Sequence, residues 1–211
     1  MYTKEQILAA INKALADKGK RKFTQSVELA MNFRGINFDK AENRISLDVT
    51  LPKGRGKETK VVVFADGPMA SEAKAAGADT VLSGAEISKL ATEPGKLKVM
   101  AKNSEFFAQP QLMMLIGKSF GQILGGRGKL PKPLIGNVAV MLRGVRNVAH
   151  LKTRGKNLPT VHCAVGSETM SAEDIAENVN AILSAVVAKV GDYAVSSAYV
   201  KLSMGTSQRI E

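Results

Sequence analysis

The feature that most limits the fold is a change of hydrophobic period along the chain, followed by its return. Val27, Leu29, Met31 and Phe33 alternate with Glu28, Ala30 and Asn32, and Ile45, Leu47, Val49 and Leu51 alternate in the same way. Period-two patterning puts apolar side chains on one face, so both segments read as half-buried strands of an antiparallel sheet with one wet face. At Val61 the alternation gives way to an unbroken apolar run to Phe64, as in a strand buried on both faces. Short strands and helices then alternate to about Lys152: strands at Thr80–Leu82 and Leu97–Ala101, helices at Met69–Ala76, Ala85–Ala91 and Gln109–Ile116. Period two comes back at Thr160–Val165. In the last strand Ala198, Val200, Leu202 and Met204 are expected on one face and Ser197, Tyr199, Lys201 and Ser203 on the other.

Two helices belong with the alternating strands. Thr3 and Gln6 form a capping box ahead of Ile7, Leu8, Ile11 and Leu15, which predicts a helix to about Lys18. Ser171 caps a long helix with the apolar stripe Ile175, Val179, Ile182, Leu183, Val186, Val187 and Val190, stopped by Gly191. The ends thus share one character and the middle another. The expectation is a discontinuous α+β domain, residues 1–60 plus 154–211, with an antiparallel sheet and two helices, and an α/β domain, residues 61–153, inserted into it.

Charge narrows the function. The net charge is +11 and the pI about 9.8, which calls for a polyanionic partner, nucleic acid before an anionic membrane surface. Between Glu105 and Glu168 there is no acid, only Lys118, Arg127, Lys129, Lys132, Arg143, Arg146, Lys152, Arg154 and Lys156. Further basic groups are Lys18, Lys20, Arg21 and Lys22, and Lys53, Arg55, Lys57 and Lys60. Ile123 to Pro133 holds three glycines, three cations and two prolines. Gly and Pro are costly in a helix interior and Pro gives no ladder hydrogen bond, so this stretch is expected to be a basic loop whose backbone can approach phosphate.

Other chemistry is poorly supported. Gly117-Lys118-Ser119 and Gly128-Lys129 lack the upstream glycine of a phosphate loop, with Leu112 and Ile123 in its place. Asp66-Gly67 is not a dinucleotide fingerprint. His162 and Cys163 are adjacent in a predicted strand and point to opposite faces, so with His150 they make no metal site, and no metal or cofactor is expected. A single cysteine, a polar N-terminus and no apolar run near ~18 residues read as a soluble protein of a reducing compartment, without a membrane partner. An α/β enzyme with a basic cleft would need an acid/base pair, which the acid-free segment does not offer; a generic basic DNA-binding module is the third class. Phe23, between a basic run and a strand, is a candidate for stacking on a base, or else a plug at the strand end.

Four stretches together carry a resemblance: Lys22 to Glu28, Leu51 to Lys57, Ile123 to Pro133, and Lys201 to Gly205. In that order, over essentially the whole chain, they resemble the L1 family of large-subunit ribosomal proteins in its archaeal form. The chain departs from the family pattern at Gly126, where Pro is common, and at Ser203, where Thr is common. The resemblance implies an RNA-binding domain made from both termini and an inserted Rossmann-like three-layer domain. It implies binding to a large-subunit rRNA helix at the mobile L1 stalk, a part in release of deacylated tRNA from the exit site, and repression of translation by binding its own mRNA. It also implies a cytoplasmic, ribosome-bound protein, monomeric when free and not an enzyme. The RNA contacts carried over are Lys22, Phe23, Ser26, Glu28, Ser197, Ser203, Met204 and Gly205, with Lys156 and His162, while Arg127, Lys129 and Lys132 form a second basic loop.

Overall fold

The computed structural model describes residues 2–57, 59–153 and 158–211. It divides into two compact units, Met1–Lys57 with Asn147–Glu211, and Glu58–Arg146. In chain order the first unit supplies α1 (Lys4–Leu15), β1 (Ser26–Phe33) and β2 (Ser46–Thr50). The second supplies β3 (Lys60–Phe64), α2 (Gly67–Ala75), β4 (Thr80–Leu82), α3 (Gly84–Ala91), α4 (Pro94–Asn103), β5 (Ser104–Ala108), α5 (Met113–Gly125), β6 (Lys132–Pro133) and α6 (Val138–Val145). The chain then returns for β7 (Val148–Lys152), β8 (Thr160–Ser167), α7 (Ala172–Val190), β9 (Val195–Leu202) and β10 (Gln208–Arg209).

In the first unit four antiparallel strands run in the order β10-β9-β1-β8, and β2 pairs with β7 in a separate ribbon. The alternation read in the sequence is physical here. Val27, Leu29, Met31 and Phe33 enter one core with Val161 and Val165 of β8, Ala198, Val200 and Leu202 of β9, Ile7 and Ile11 of α1, and the stripe of α7. Both helices therefore cover the same face of the sheet. The predicted capping box of α1 and the Ser171 cap of α7 are both formed.

The second unit is a parallel sheet, order β4-β3-β5-β6, between two helical layers. Val62, Phe64, Phe106 and Ala108 face Ile87 of α3, Leu97 and Ala101 of α4, and Ile116, Phe120 and Leu124 of α5. Val61, Val63 and Phe107 face Ala73 of α2 and Val138 and Leu142 of α6. Burial on both faces explains the unbroken run at Val61–Phe64. The fold class is thus an α+β unit with an inserted three-layer α/β unit.

Three local expectations are corrected. Leu97–Ala101 is not a strand but the middle of α4, with Pro94 in its first turn; Leu97 and Ala101, four apart, share the buried face. The strand is Ser104–Ala108, buried throughout. The Ile123–Pro133 stretch is not a single loop. Ile123, Leu124 and Gly125 close α5, because burying Ile116, Phe120 and Leu124 outweighs the ~1 kcal/mol cost of each interior glycine. Beyond the helix the chain turns at Gly128, φ +67°, where the Lys129 and Gly128 N–H groups bond the Leu124 and Gly125 carbonyls (both 2.9 Å). Lys132 and Pro133 form β6, at the sheet edge, where Pro is tolerated. Residues 147–153 lie with the first unit rather than the inserted one, because β7 completes the ribbon with β2.

Candidate nucleic-acid interface

The first residues of β1 lie where three segments converge. Ser26 stands opposite Ser167 at the end of β8, and Val27 opposite Leu202 at the end of β9. A register shift between Val27 and Glu28 bends β1 at this point. Ser203, one residue beyond β9, donates its N–H to the Ser26 carbonyl (3.0 Å). Its hydroxyl accepts from Ser26 N–H (3.3 Å), and its one proton goes to the Ser26 carbonyl (3.3 Å) or to Glu28 Oε1 (3.2 Å). Glu28 is also opposite Lys201 across the strands. Lys57 reaches the same place: its ammonium donates to Ser26 Oγ (2.9 Å) and to the Thr24 carbonyl (3.1 Å).

Two large apolar side chains stand in solvent beside this polar cluster. Phe23 is 51% exposed and Met204 59% exposed. Phe23 is therefore not a plug of the core. Met204 departs from the face expected of it because β9 has ended at Leu202 and the chain turns, with Gly205 N–H bonding the Leu202 carbonyl (3.0 Å). Lys18, Lys20, Arg21 and Lys22 are exposed ahead of Phe23.

The scaffold under this edge went unseen in the sequence. Glu168, 6% exposed, accepts from Gln25 N–H (3.0 Å) at one oxygen and from Gly19 N–H and Gln25 Nε2 (both 3.4 Å) at the other. Gln25, 1% exposed, accepts the Met204 N–H at its side-chain oxygen (3.1 Å). The only sequence signal was that Glu168 is the acid that ends the long acid-free segment. The basic turn after β2 is held by buried Asn178 of α7, which accepts from Lys53 N–H (3.0 Å) and donates to the Gly54 and Val165 carbonyls (both 2.8 Å). Glu177, and then Asp174, raise the pKa of Lys53 at the same turn.

The remaining nominated residues are more scattered. His162 is exposed on the open face of the sheet, in one row with Ala30, Tyr199 and Arg209; Cys163 faces the core. Ser197 is six residues from Ser203 along β9, about 20 Å away at ~3.3 Å per residue, and accepts from Asn32 Nδ2 (3.0 Å). Lys156 lies outside the described residues. Arg127, Lys129 and Lys132 belong to the second unit. There Arg127 donates to the Lys98 carbonyl (2.9 Å) and Lys129 to the Ser104 carbonyl (2.9 Å), with Glu105 at 3.7 Å from its ammonium. Arg146, from the same acid-free segment, bonds Asp79 (3.0 Å) and the Gly77 carbonyl (2.8 Å). Part of the positive charge therefore serves the fold.

A cationic cluster with exposed apolar side chains at the ends of the two central strands, on a discontinuous α+β unit carrying an inserted α/β unit, is the surface of a basic binding protein rather than a catalytic pocket. Residues 12–206 match the Ribosomal protein L1p/L10e family. The chain is 38% identical to the large ribosomal subunit protein uL1 of Pyrococcus horikoshii, over 100% of this chain and 97% of that one. It is 39% identical to the uL1 proteins of Methanocella arvoryzae (98% and 99% covered) and Methanosarcina mazei (97% of each). The chain belongs to the ribosomal protein L1p/L10e family. It is a ribosomal protein, not an enzyme, and the basic-cleft reading falls with that.

Proposed function

We propose that this chain is a large-subunit protein that binds the rRNA helix of the L1 stalk along the edge formed by the start of β1 and the end of β9. The observation that carries the reading is the exposure of Phe23 and Met204 beside a polar cluster that is already hydrogen-bonded. An exposed aromatic stacks on a base or sugar, and hydroxyl and glycine residues allow close approach to an RNA 2′-OH. In this reading Lys22, Phe23, Ser26, Glu28, Ser203, Met204 and Gly205 make the contacts, Lys57 joins them, and the RNA extends over the open sheet face to His162. Ser197 supports the far end of that face through Asn32. Lys156 is retained on motif match alone.

The first unit is then the RNA-binding domain. Arg127 and Lys129 are already engaged by main-chain carbonyls, so the inserted unit with Lys132 is dispensable for rRNA affinity. A similar fold in its own mRNA would compete for the same edge and repress translation. On the ribosome in the cytoplasm, the stalk so formed takes part in release of deacylated tRNA from the exit site. Free of RNA the chain is a monomer.

The test is filter binding to a labelled stalk rRNA fragment at ~0.5 M salt, where non-specific phosphate binding collapses. Nanomolar binding with discrimination against random RNA and duplex DNA is expected. Met204→Asp places a carboxylate at the edge without touching the core, and is expected to reduce affinity by at least about a hundredfold with an unchanged melting temperature. Equal affinity in that variant would remove the edge from the reading.

A further inference from the structure

We propose that Glu168 is a positioning residue for the RNA edge: a carboxylate clip that closes residues 19–25 into a loop before RNA arrives. The inference rests on the reading of this edge as the RNA-binding surface. Gly19, at φ +75°, is where the chain turns away after α1, and Gln25 is where it enters the sheet. The N–H groups of both residues reach opposite oxygens of one carboxylate. Between those two points lie Lys20, Arg21, Lys22 and Phe23, all exposed. The ends of the segment are thus tied while its contact side chains are left facing solvent.

The same side chain governs the other half of the edge. Gln25 Nε2 points at Glu168, which leaves the amide oxygen of Gln25 facing Met204 N–H. Glu168 also donates its own N–H to the Gln25 carbonyl (3.0 Å). A single acid therefore fixes the segment that carries Phe23 and, through Gln25, the turn that carries Met204.

The energetics argue for a purpose. A carboxylate withdrawn from water is costly unless hydrogen bonds satisfy it. Among the described residues the hydrogen-bond donors to Glu168 are amides, and the bond from Gln25 N–H is the short one. An acid close to a phosphate-binding edge would also repel RNA if it were exposed. Buried and turned toward amides, it shapes the loop without facing the ligand. A preformed loop spares binding the cost of ordering several long side chains and their backbone.

The experiment uses the full chain. Glu168→Gln keeps the size of the side chain, but its amide group meets amide N–H donors where an oxygen stood. Stalk rRNA binding is measured over a salt series, together with thermal melting and amide hydrogen exchange of residues 19–25. The expected result is near-native melting, faster exchange at Gly19 and Gln25, and affinity about tenfold weaker or worse, since ordering costs return to the binding step. The slope of log affinity against log salt should stay at the wild-type value, because no phosphate contact is lost; Lys22→Gln, by contrast, should lower that slope by roughly one. Affinity within twofold of wild type, or a loss explained wholly by the fraction unfolded, would overturn the clip. Should Glu168→Gln melt below the assay temperature, Gln25→Met removes the relay to Met204 and is held to the same outcomes. If the wild-type chain prefers stalk rRNA no more than random RNA, the edge itself fails and the clip with it; if only the variants match wild type, the clip alone fails.

Discussion

Cys163 shows what burial does to a single group. It faces the core of the first unit, and desolvation pushes its thiol up to about 12, with Arg55 acting against the shift and Glu28 adding to it. At neutral pH it stays protonated, so it should resist a thiol reagent in the folded protein and react at once when urea is added. The sign of the pH effect follows. The unfolded thiol ionises near 9.0, whereas the folded one keeps its proton to about 12. Its contribution to stability is complete below pH 9 and lost as pH rises from about 9 to 12. Urea melts at pH 8 and pH 10.5 should show the decline, and Cys163→Ala should lack that part of it. Asn178 makes the complementary point for polar groups: wholly buried, it is tolerated because it ties three main-chain groups of two different segments.

Elements were legible where a pattern had one cause. β1, β9, α1 and α7 each bury one face, so period and caps agreed. α4 failed because its sequence, Pro94 to Asn103, alternates Lys and apolar residues over Lys96–Val99 and imitates a strand, while the pair that is buried is four apart. β6 and β10 escaped notice because they are two residues long and owe their strand form to a partner; β7, five residues with Ala149 and Leu151 buried in alternation, follows closely on α6 and was not separated from it. α6 was missed as well, an apolar segment with its cap at Asn137. At the interface, Phe23, Ser203 and Met204 could be nominated from motif, but Glu168 and Gln25 act through contacts more than 140 residues apart in the chain, which no local pattern carries. The open face of the sheet offers a test at this scale. The chain has no Trp, so Tyr199→Trp makes a unique fluorophore in the row with His162 and Ala30. Stalk rRNA lying over that face should quench its emission; saturating RNA that leaves the emission unchanged would confine binding to the strand ends.

Taken over the whole molecule, charge does not locate the interface. The first unit carries eighteen Lys and Arg against twelve Asp and Glu, and the inserted unit twelve against seven. Internal pairing does not separate them either, since Arg127, Lys129 and Arg146 of the inserted unit are engaged and so are Lys20 and Lys53 of the first; what sets the first unit apart is that exposed Phe23 directly follows the exposed run Lys20 to Lys22. A chain joining residues 1–57 directly to 147–211 should therefore melt cooperatively and bind stalk rRNA as the full chain does. Joining 1–60 to 154–211 instead deletes β7 and strips β2 of its partner, and should give a lower melting temperature by circular dichroism.

The edges of the inserted sheet carry a consequence of their own. One is β4, three residues long; the other is β6, two residues ending in Pro133. An extended peptide has almost no unpaired backbone there to copy, and a second copy of the chain has none either. Molecules of this protein that accumulate before they meet RNA thus lack, in this unit, the long bare strand from which edge-to-edge aggregation starts.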